Sequence, residues 1–112
     1  MSSPKVSVSL ITYNQERFIA QAIESALDQQ APFDYEIVIG EDCSTDRTRE
    51  IVVGYAERHP DRIRLVLHEE NRGLVRNFLD TFRACRGEYV ALLDGDDYWT
   101  CREKLARQAR FL

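Results

Sequence analysis

The 112-residue chain lacks a surplus of positive charge, since 15 Lys and Arg stand against 19 Asp and Glu for a formal net charge of −4. Non-specific binding of nucleic acid or of an anionic membrane requires a basic surface. The chain also lacks an apolar run of about 20 residues, the length of a membrane-spanning helix, and its start has no signal-peptide pattern. We therefore predict no nucleic-acid partner and no membrane span.

Cysteine is sparse and forms no recognisable pattern. The three cysteines, Cys43, Cys85 and Cys101, are odd in number and widely spaced, with no CxxC pair. Structural zinc sites and disulfide frameworks show closer and more regular spacing. We predict reduced thiols and, from them, a cytoplasmic location.

Three motifs that would define well-known enzyme classes are missing. No G-x-G-x-x-G follows the first predicted strand, no G-x-x-x-x-G-K-[ST] occurs, and no G-x-S-x-G elbow is present. These absences argue against a dinucleotide-binding Rossmann site, a P-loop NTPase and an α/β-hydrolase.

What the sequence does contain is a regular alternation of two hydrophobic patterns. Four short β-branched or apolar runs predict strands, and between them apolar residues recur at helical spacing. The predicted strands are 6–12, 35–40, 63–67 and 89–93. Such alternation predicts an α/β fold, a Rossmann-like three-layer α/β/α arrangement around a mostly parallel sheet.

Residues with capping side chains precede three of the predicted helices. Asn14 stands where the N-cap of the first helix is expected, residues 44–46 offer capping oxygens to the second, and Thr100 with Glu103 has capping-box spacing before the last. These residue types satisfy the unpaired N–H groups of a first helical turn.

The last predicted helix carries an apolar stripe of Leu105, Ala109 and Leu112 that runs to the end of the chain. An apolar stripe needs a partner to cover it. We therefore expect residues 1–112 to be a single domain that is the front part of a longer protein or a cut piece of one. Self-association through this C-terminal helix is a further possibility.

Acidic residues follow three of the four predicted strands, and the densest group is Asp94-Gly95-Asp96-Asp97. Ligands of open α/β sheets bind beyond the carboxyl ends of the strands. Three carboxylates within four residues repel one another unless a cation is near, and carboxylate oxygens suit Mg²⁺ or Mn²⁺. The group predicts a metal site that holds a diphosphate. The alternative is a polar turn whose acids cap the next helix.

Other residues at the same ends are candidates for binding a nucleoside. Asp42 follows the second strand and could accept a hydrogen bond from a base, or could instead cap the next helix. Thr12 and Tyr13 could supply a hydroxyl and a stacking ring, although Tyr13 could equally pack at the rim. Asn71 could position a phosphate or a base, although Asn-x-Gly is also common in turns.

Four segments together resemble family 2 glycosyltransferases, which have the GT-A nucleotide-sugar fold. They are residues 8–14, 41–48, 71–77 and 87–97, and they cover essentially the whole chain in the family's order and spacing. Ile11 and Cys43 depart from the pattern, because many members have Pro and Gly at these positions.

The resemblance implies an activated sugar donor, commonly a UDP-sugar, a divalent cation and an acceptor that it does not identify. By analogy Thr12, Tyr13, Asp42 and Asn71 would hold the nucleotide, Asp94 would lie near the ribose or the metal, and Asp96 would ligate the metal. Family members mostly invert the anomeric centre. Their general base lies beyond residue 112, so this chain is expected to bind donor and to be inactive alone.

Two other functions use comparable folds. A nucleotidyltransferase would show a Gly-rich basic loop after the first strand, and residues 12–17 are neither Gly-rich nor strongly basic. A phospho-acceptor signalling domain would bind Mg²⁺ in its acidic cluster and needs a Lys after a later strand, but no Lys lies between Lys5 and Lys104. Both remain as alternatives to a glycosyltransferase.

Overall fold

The computed structural model describes residues 4–109, which form four strands and four helices in strict alternation. In chain order these are β1 (Val6–Thr12), α1 (Ile19–Leu27), β2 (Tyr35–Glu41), α2 (Thr48–Arg58), β3 (Ile63–Leu67), α3 (Leu74–Ala84), β4 (Tyr89–Asp94) and α4 (Lys104–Ala109). The predicted strands are confirmed, β2 and β4 each being one residue longer than expected. The predicted α/β class is confirmed as well.

The four strands form one parallel sheet in the order β3-β2-β1-β4. Strands β1, β2 and β3 follow one another in one direction across the sheet, whereas β4 returns to the other side of β1. Thr12 pairs with Glu41 and Ile11 pairs with Asp94. The chain segments that follow β1, β2 and β4 therefore leave the sheet side by side at one edge.

One face of the sheet carries the main hydrophobic core. Alternate residues of the two central strands, Val8, Leu10, Ile37 and Ile39, have no exposed surface and pack in one cluster with buried residues of α1 and α2. Because strand side chains alternate between faces, this set lies on one side of the sheet. Leu105 of α4 joins the same cluster. Burial of these side chains is the main stabilisation of the fold.

The opposite face is more polar and is covered by α3. A side chain at Gly40 would overlap Thr81 Oγ1 and would lie 2.6 Å from Asn77 Oδ1, so α3 packs directly on the backbone of β2. Asn77 Nδ2 donates to Gly40 O at 3.0 Å, and Asn77 Oδ1 is 3.0 Å from His68 Nε2. Hydrogen bonds rather than apolar contacts thus position the start of α3.

The capping predictions were wrong for α1 and for the last helix. α1 begins after Phe18, with no side-chain cap, and α4 begins at Lys104, beyond Thr100. Asn14 has a left-handed φ of 50° and turns its Oδ1 toward the next loop, where it accepts from Thr45 N at 2.8 Å. Only the prediction for residues 44–46 is partly correct, since Asp46 Oδ1 accepts from Thr48 N at 2.9 Å.

Two further sequence-based expectations concern the cysteines and the chain end. All three cysteines are free thiols. Across residues 4–109, none of the helices combines the length and the apolar character needed to cross a membrane. Leu112, which completes the expected stripe of the last helix, lies outside the described residues, so self-association through that helix stays a prediction.

Candidate functional site

A cleft of about 250 Å³ opens at the edge of the sheet where β1 and β4 end. It lies at the point where the strand order reverses, the usual ligand position in an open α/β sheet. Thr12, Tyr13, Asp94 and Asp96, all predicted site residues, line it together. Its remaining lining residues are Ile11, Gln15, Leu74 and Asn77.

The carboxylates of Asp94 and Asp96 are exposed and unpaired. Within residues 4–109 neither side chain accepts a hydrogen bond or joins an ion pair, whereas Asp97 Oδ1 accepts from Tyr98 N at 2.8 Å. None of the three caps a helix, since α4 begins at Lys104. The alternative explanation of these acids as helix caps is therefore wrong.

The donor set around the cleft fits a divalent cation that a ligand helps to hold. Among the described residues, no group of three or more His, Cys, Asp and Glu side chains comes close enough to hold a metal ion. Mg²⁺ commonly takes one or two protein carboxylates and completes its shell with phosphate oxygens and water. Asp94 and Asp96 supply such a pair.

Gly95 brings the acidic turn into close contact with the end of β1. Gly95 N donates to Ile11 O at 3.0 Å. A Cβ at Gly95 would overlap Gln15 Oε1 and would lie 2.6 Å from Thr12 Oγ1. The turn therefore needs a residue without a side chain here to direct Asp94 and Asp96 into the cleft.

Thr12 and Tyr13 differ in how much they offer a ligand. Thr12 is only 3% exposed, and its hydroxyl donates to Gln15 Oε1 at 2.8 Å. Tyr13 is 43% exposed at the rim of the cleft. The ring of Tyr13 is thus available for stacking, whereas the proton of the Thr12 hydroxyl already has a partner inside the protein.

Asp42 holds the turn that precedes α3. Its carboxylate is 2% exposed and accepts from Arg72 N at 2.8 Å and from Gly73 N at 2.9 Å. Asn71 Nδ2 lies 3.2 Å from both Asp42 Oδ2 and Asp42 O. Asp42 does not cap α2, and neither Asp42 nor Asn71 belongs to the lining of the cleft.

The neighbouring acid Glu41 is completely buried and connects the loop after β2, helix α2 and, through Arg49, the segment after β3. Its Oε1 accepts from Ser44 N at 2.8 Å and its Oε2 pairs with Arg49 Nε at 2.6 Å. Arg49 also donates to His68 O. A buried carboxylate with this many partners is structural, because an unpaired charge at such a position is strongly unfavourable.

Asp46 anchors the loop of Asn14 to the start of α2. Besides Thr48 N it accepts from Glu16 N at 3.2 Å. Burial acts to raise the pKa of the Asp46 carboxyl, but hydrogen bonds from the side chain and backbone of Thr48 outweigh it and lower this pKa below its ordinary value. The acid stays ionised and keeps the loops after β1 and β2 together.

Sequence analysis missed Gln15, Leu74 and Asn77 as residues of the cleft. Leu74 belongs to a helical apolar pattern that predicts packing alone, and Asn77 lies in the segment 71–77 that carries part of the family resemblance but has no binding role assigned to it there. Gln15 comes three residues after Thr12, just beyond a strand end, and this position alone is a weak indication of a binding residue. Nothing in the sequence indicates that its side chain would turn back toward β1.

Comparison with known sequences gives one family over nearly the whole chain. The sequence profile described as Glycosyl transferase family 2 matches residues 7–112. An uncharacterized protein of Mycobacterium tuberculosis is 43% identical over 107 residues, which is 96% of this chain and 31% of that protein. The putative teichuronic acid biosynthesis glycosyltransferase TuaG of Bacillus subtilis is 40% identical over 97% of this chain and 42% of its own length. The chain thus spans roughly a third of the relatives it matches.

Solved structures agree with this comparison. TarS from S. aureus in complex with UDP superposes with a TM-score of 0.84 at 34% identity, over 96% of this chain and 31% of TarS. A mannosyltransferase from Pyrobaculum calidifontis, in complex with GDP-Man and Mn²⁺, gives a TM-score of 0.87 at 33% identity, over 100% of this chain and 33% of that one.

Proposed function

The chain belongs to glycosyltransferase family 2, and from that membership we propose that residues 1–112 form a single nucleotide-sugar-binding domain of a longer glycosyltransferase. The complete enzyme would transfer a glycosyl group from a nucleoside-diphosphate sugar to an acceptor that is still unknown. The observation that carries the proposal is the pair of unpaired carboxylates, Asp94 and Asp96, in a cleft at the reversal of strand order.

Asp94 and Asp96 would hold Mn²⁺ or Mg²⁺ together with the diphosphate of the donor. When bound, the cation neutralises charge on the departing nucleoside diphosphate. The mannosyltransferase that resembles this chain was solved with Mn²⁺, which supports this choice. Without a cation, the two carboxylates of the cleft would repel the negatively charged diphosphate. A bound cation offsets this repulsion.

The nucleoside would be held by Thr12, Tyr13, Asp42, Asn71 and Asp94. Tyr13 has an exposed ring that can stack on a base. Asp42 fixes the backbone at residues 71–73, so its main effect on the nucleoside would pass through the Asn71 turn. Asp94 would contribute both to the ribose and to the cation.

We favour a UDP-sugar as donor, in line with the UDP bound by TarS. The expected reaction inverts the anomeric centre. The acceptor hydroxyl attacks the anomeric carbon as a base takes its proton, and the bond to the diphosphate breaks with the electron pair leaving on the nucleotide. We place that base outside residues 1–112, so this chain alone would bind donor without transferring it. A cytoplasmic location is proposed from the free thiols.

Thermal unfolding with UDP, GDP, ADP and CDP, each with and without Mn²⁺, tests the proposal. A ligand at about 100 times its Kd adds about 2.7 kcal/mol of stability, which raises the Tm of a domain this size by roughly 10 °C. We expect a Mn²⁺-dependent rise that is largest with UDP. A larger rise with GDP would retain the proposed site and change the donor, whereas no rise with any nucleotide would contradict donor binding by this chain.

Asp96→Asn and Asp97→Asn form a matched pair for the metal assignment. Both remove one negative charge from the same turn, but only Asp96 lines the cleft with a free carboxylate, while Asp97 accepts from Tyr98 N. We expect Asp96→Asn to abolish the Mn²⁺-dependent rise and Asp97→Asn to retain it. Equal losses in the two variants would argue for a general charge effect instead of a ligand role.

A further inference from the structure

The backbone of Gln15 is fixed where the loop after β1 enters α1. Gln15 N donates to Thr48 Oγ1 at 2.8 Å. Gln15 O accepts from both Phe18 N and Ile19 N at 2.9 Å. The Gln15 side chain therefore starts from a well-defined position beside the cleft.

The two ends of the Gln15 carboxamide have different surroundings. Oε1 accepts the Thr12 hydroxyl at 2.8 Å and lies against Gly95, which has no room for a side chain at this contact. Nε2 takes part in no hydrogen bond with any residue from 4 to 109, although the side chain lines the cleft. Two N–H donors are thus left without a partner.

The remaining amide of the cleft, Asn77, is only 2% exposed and is less available to a ligand than the half-buried Gln15. Asn77 Nδ2 donates to Gly40 O, and Asn77 Oδ1 faces His68 Nε2. Asp94 and Asp96 present only acceptors when ionised. An oxygen-rich anion that enters between these carboxylates would therefore find a neutral N–H donor at Gln15.

We propose that Gln15 is a further ligand-contacting residue, whose Nε2 donates a hydrogen bond to an oxygen of the bound nucleoside diphosphate. The part of Thr12 in holding the nucleotide then passes through Gln15: Thr12 is a positioning residue, because its hydroxyl keeps Oε1 turned toward β1 and Nε2 toward the cleft. This inference rests on the proposed function, since it takes the same nucleotide as ligand.

Titration calorimetry of UDP binding with saturating Mn²⁺ tests the inference on the whole chain. Gln15→Met keeps the length of the side chain and removes the donor, so we expect Kd to rise about tenfold, the effect of one hydrogen bond to a ligand oxygen. Gln15→Glu still accepts the Thr12 hydroxyl but adds a charge, so a larger rise is expected. The matched control is Gln21→Met on the exposed face of α1, which should leave Kd unchanged.

Mn²⁺ binding without nucleotide separates contact with the nucleotide from damage to the metal site. Electron paramagnetic resonance should show unchanged Mn²⁺ affinity in Gln15→Met. For Thr12, Thr12→Val should raise the Kd of UDP a few fold, and Thr12→Ser, which restores the hydroxyl, should recover it. Recovery would not be expected if Thr12 served only as a packing residue.

The outcomes distinguish this inference from the proposed function. Failure of the unsubstituted chain to bind UDP or GDP would overturn both. Normal binding by the unsubstituted chain, with unchanged Kd in folded Gln15→Met and Gln15→Glu, would overturn the role of Gln15 alone. If Gln15→Met does not fold, Gln15→Glu decides the question, since it preserves the Thr12 contact.

Discussion

Two groups of acids occupy equivalent places in the fold and have opposite surroundings. Glu41 and Asp42 end β2, and both are almost completely buried and accept hydrogen bonds at both carboxylate oxygens. Asp94 and Asp96 end β4, and both are exposed without a partner among the described residues. The sequence places carboxylates after both strands, but only those after β4 are available to a ligand.

The difference follows from what surrounds each strand end. β2 lies inside the sheet. Its acids accept from Ser44 N in the loop that follows β2, from Arg49 of α2 and from the N–H groups of residues 72–73 after β3. β4 is an edge strand of the described sheet, and its acidic turn packs on the end of β1 with its carboxylates open to the cleft. Buried acids of the first kind stabilise loops, whereas acids of the second kind gain most from a bound cation.

The largest expected effect comes from replacing one acid of each group with alanine. Asp42→Ala leaves Arg72 N and Gly73 N without their acceptor and removes one of the two acceptors of Asn71 Nδ2. It should therefore lower the free energy of unfolding by about 2–3 kcal/mol. Asp96→Ala removes no contact and should change it by less than about 0.5 kcal/mol. Urea unfolding of both variants measures this. Similar losses would show that the two groups do not differ in structural role.

A methyl group at Gly95 tests how tightly the acidic turn packs on β1. Gly95→Ala would bring Cβ into Thr12 Oγ1 and Gln15 Oε1, and such overpacking typically costs about 1–3 kcal/mol. Gly54→Ala is the matched control, because a Cβ there comes no closer than 3.7 Å to Arg58 Nη1. Because Gly54 lies inside α2, Gly54→Ala should raise the free energy of unfolding by about 0.5–1 kcal/mol. In thermal unfolding the Tm should therefore fall for Gly95→Ala and rise for Gly54→Ala. An unchanged Tm for Gly95→Ala would mean that the turn is loosely packed.

Acid unfolding extends the comparison to a third buried carboxylate, Glu36 in β2. Burial acts to raise the pKa of Glu36, but hydrogen bonds from Ser7, Arg86 and Arg64 outweigh it and lower this pKa below its ordinary value. The stability that Glu36 contributes is therefore present above the unfolded-state pKa of about 4.3. It is lost as pH falls through the lower folded-state pKa.

Glu36→Gln removes this titration. At pH 7 it should lower the free energy of unfolding by about 1–2 kcal/mol, and its difference from the unsubstituted chain should shrink as pH falls below about 4. Urea unfolding at pH 7, 5, 4 and 3 measures the difference. A difference that stays constant down to pH 3 would contradict a pH-linked role of the Glu36 carboxylate.

The strands and the position of the cleft could be predicted from the sequence because they depend on local patterns. Short β-branched or apolar runs predicted all four strands, and strand ends in a parallel sheet meet at one edge. The same reasoning predicted that four residues at the ends of β1 and β4 would lie close together, and all four line the cleft: Thr12, Tyr13, Asp94 and Asp96.

The partners of polar side chains could not be predicted in this way, since they lie far apart in the sequence. Asn14 was expected to cap the helix beside it but accepts from Thr45 N, and Asp42 binds a turn that comes after β3. Gln15 was missed because its side chain reverses toward Thr12. Which partner a polar side chain bonds to depends on which loops the sheet brings together.

The smallest expected effect concerns Cys43, in the turn that follows the buried acids. Cys43 has a left-handed φ of 57°, which costs a residue with a side chain roughly 1–2 kcal/mol. Cys43→Gly removes that cost, loses the weak contact of Sγ with Glu69 O at 3.4 Å and makes the unfolded chain more flexible. We expect a net gain of about 0.5 kcal/mol in urea unfolding, whereas Cys43→Ala, which keeps the strain, should show none.

Asn14→Gly, at φ 50°, should instead destabilise, because Asn14 Oδ1 accepts from Thr45 N. Opposite signs at two positions with nearly the same φ would show that the partners of a side chain, more than backbone strain, decide which residue such a turn can hold.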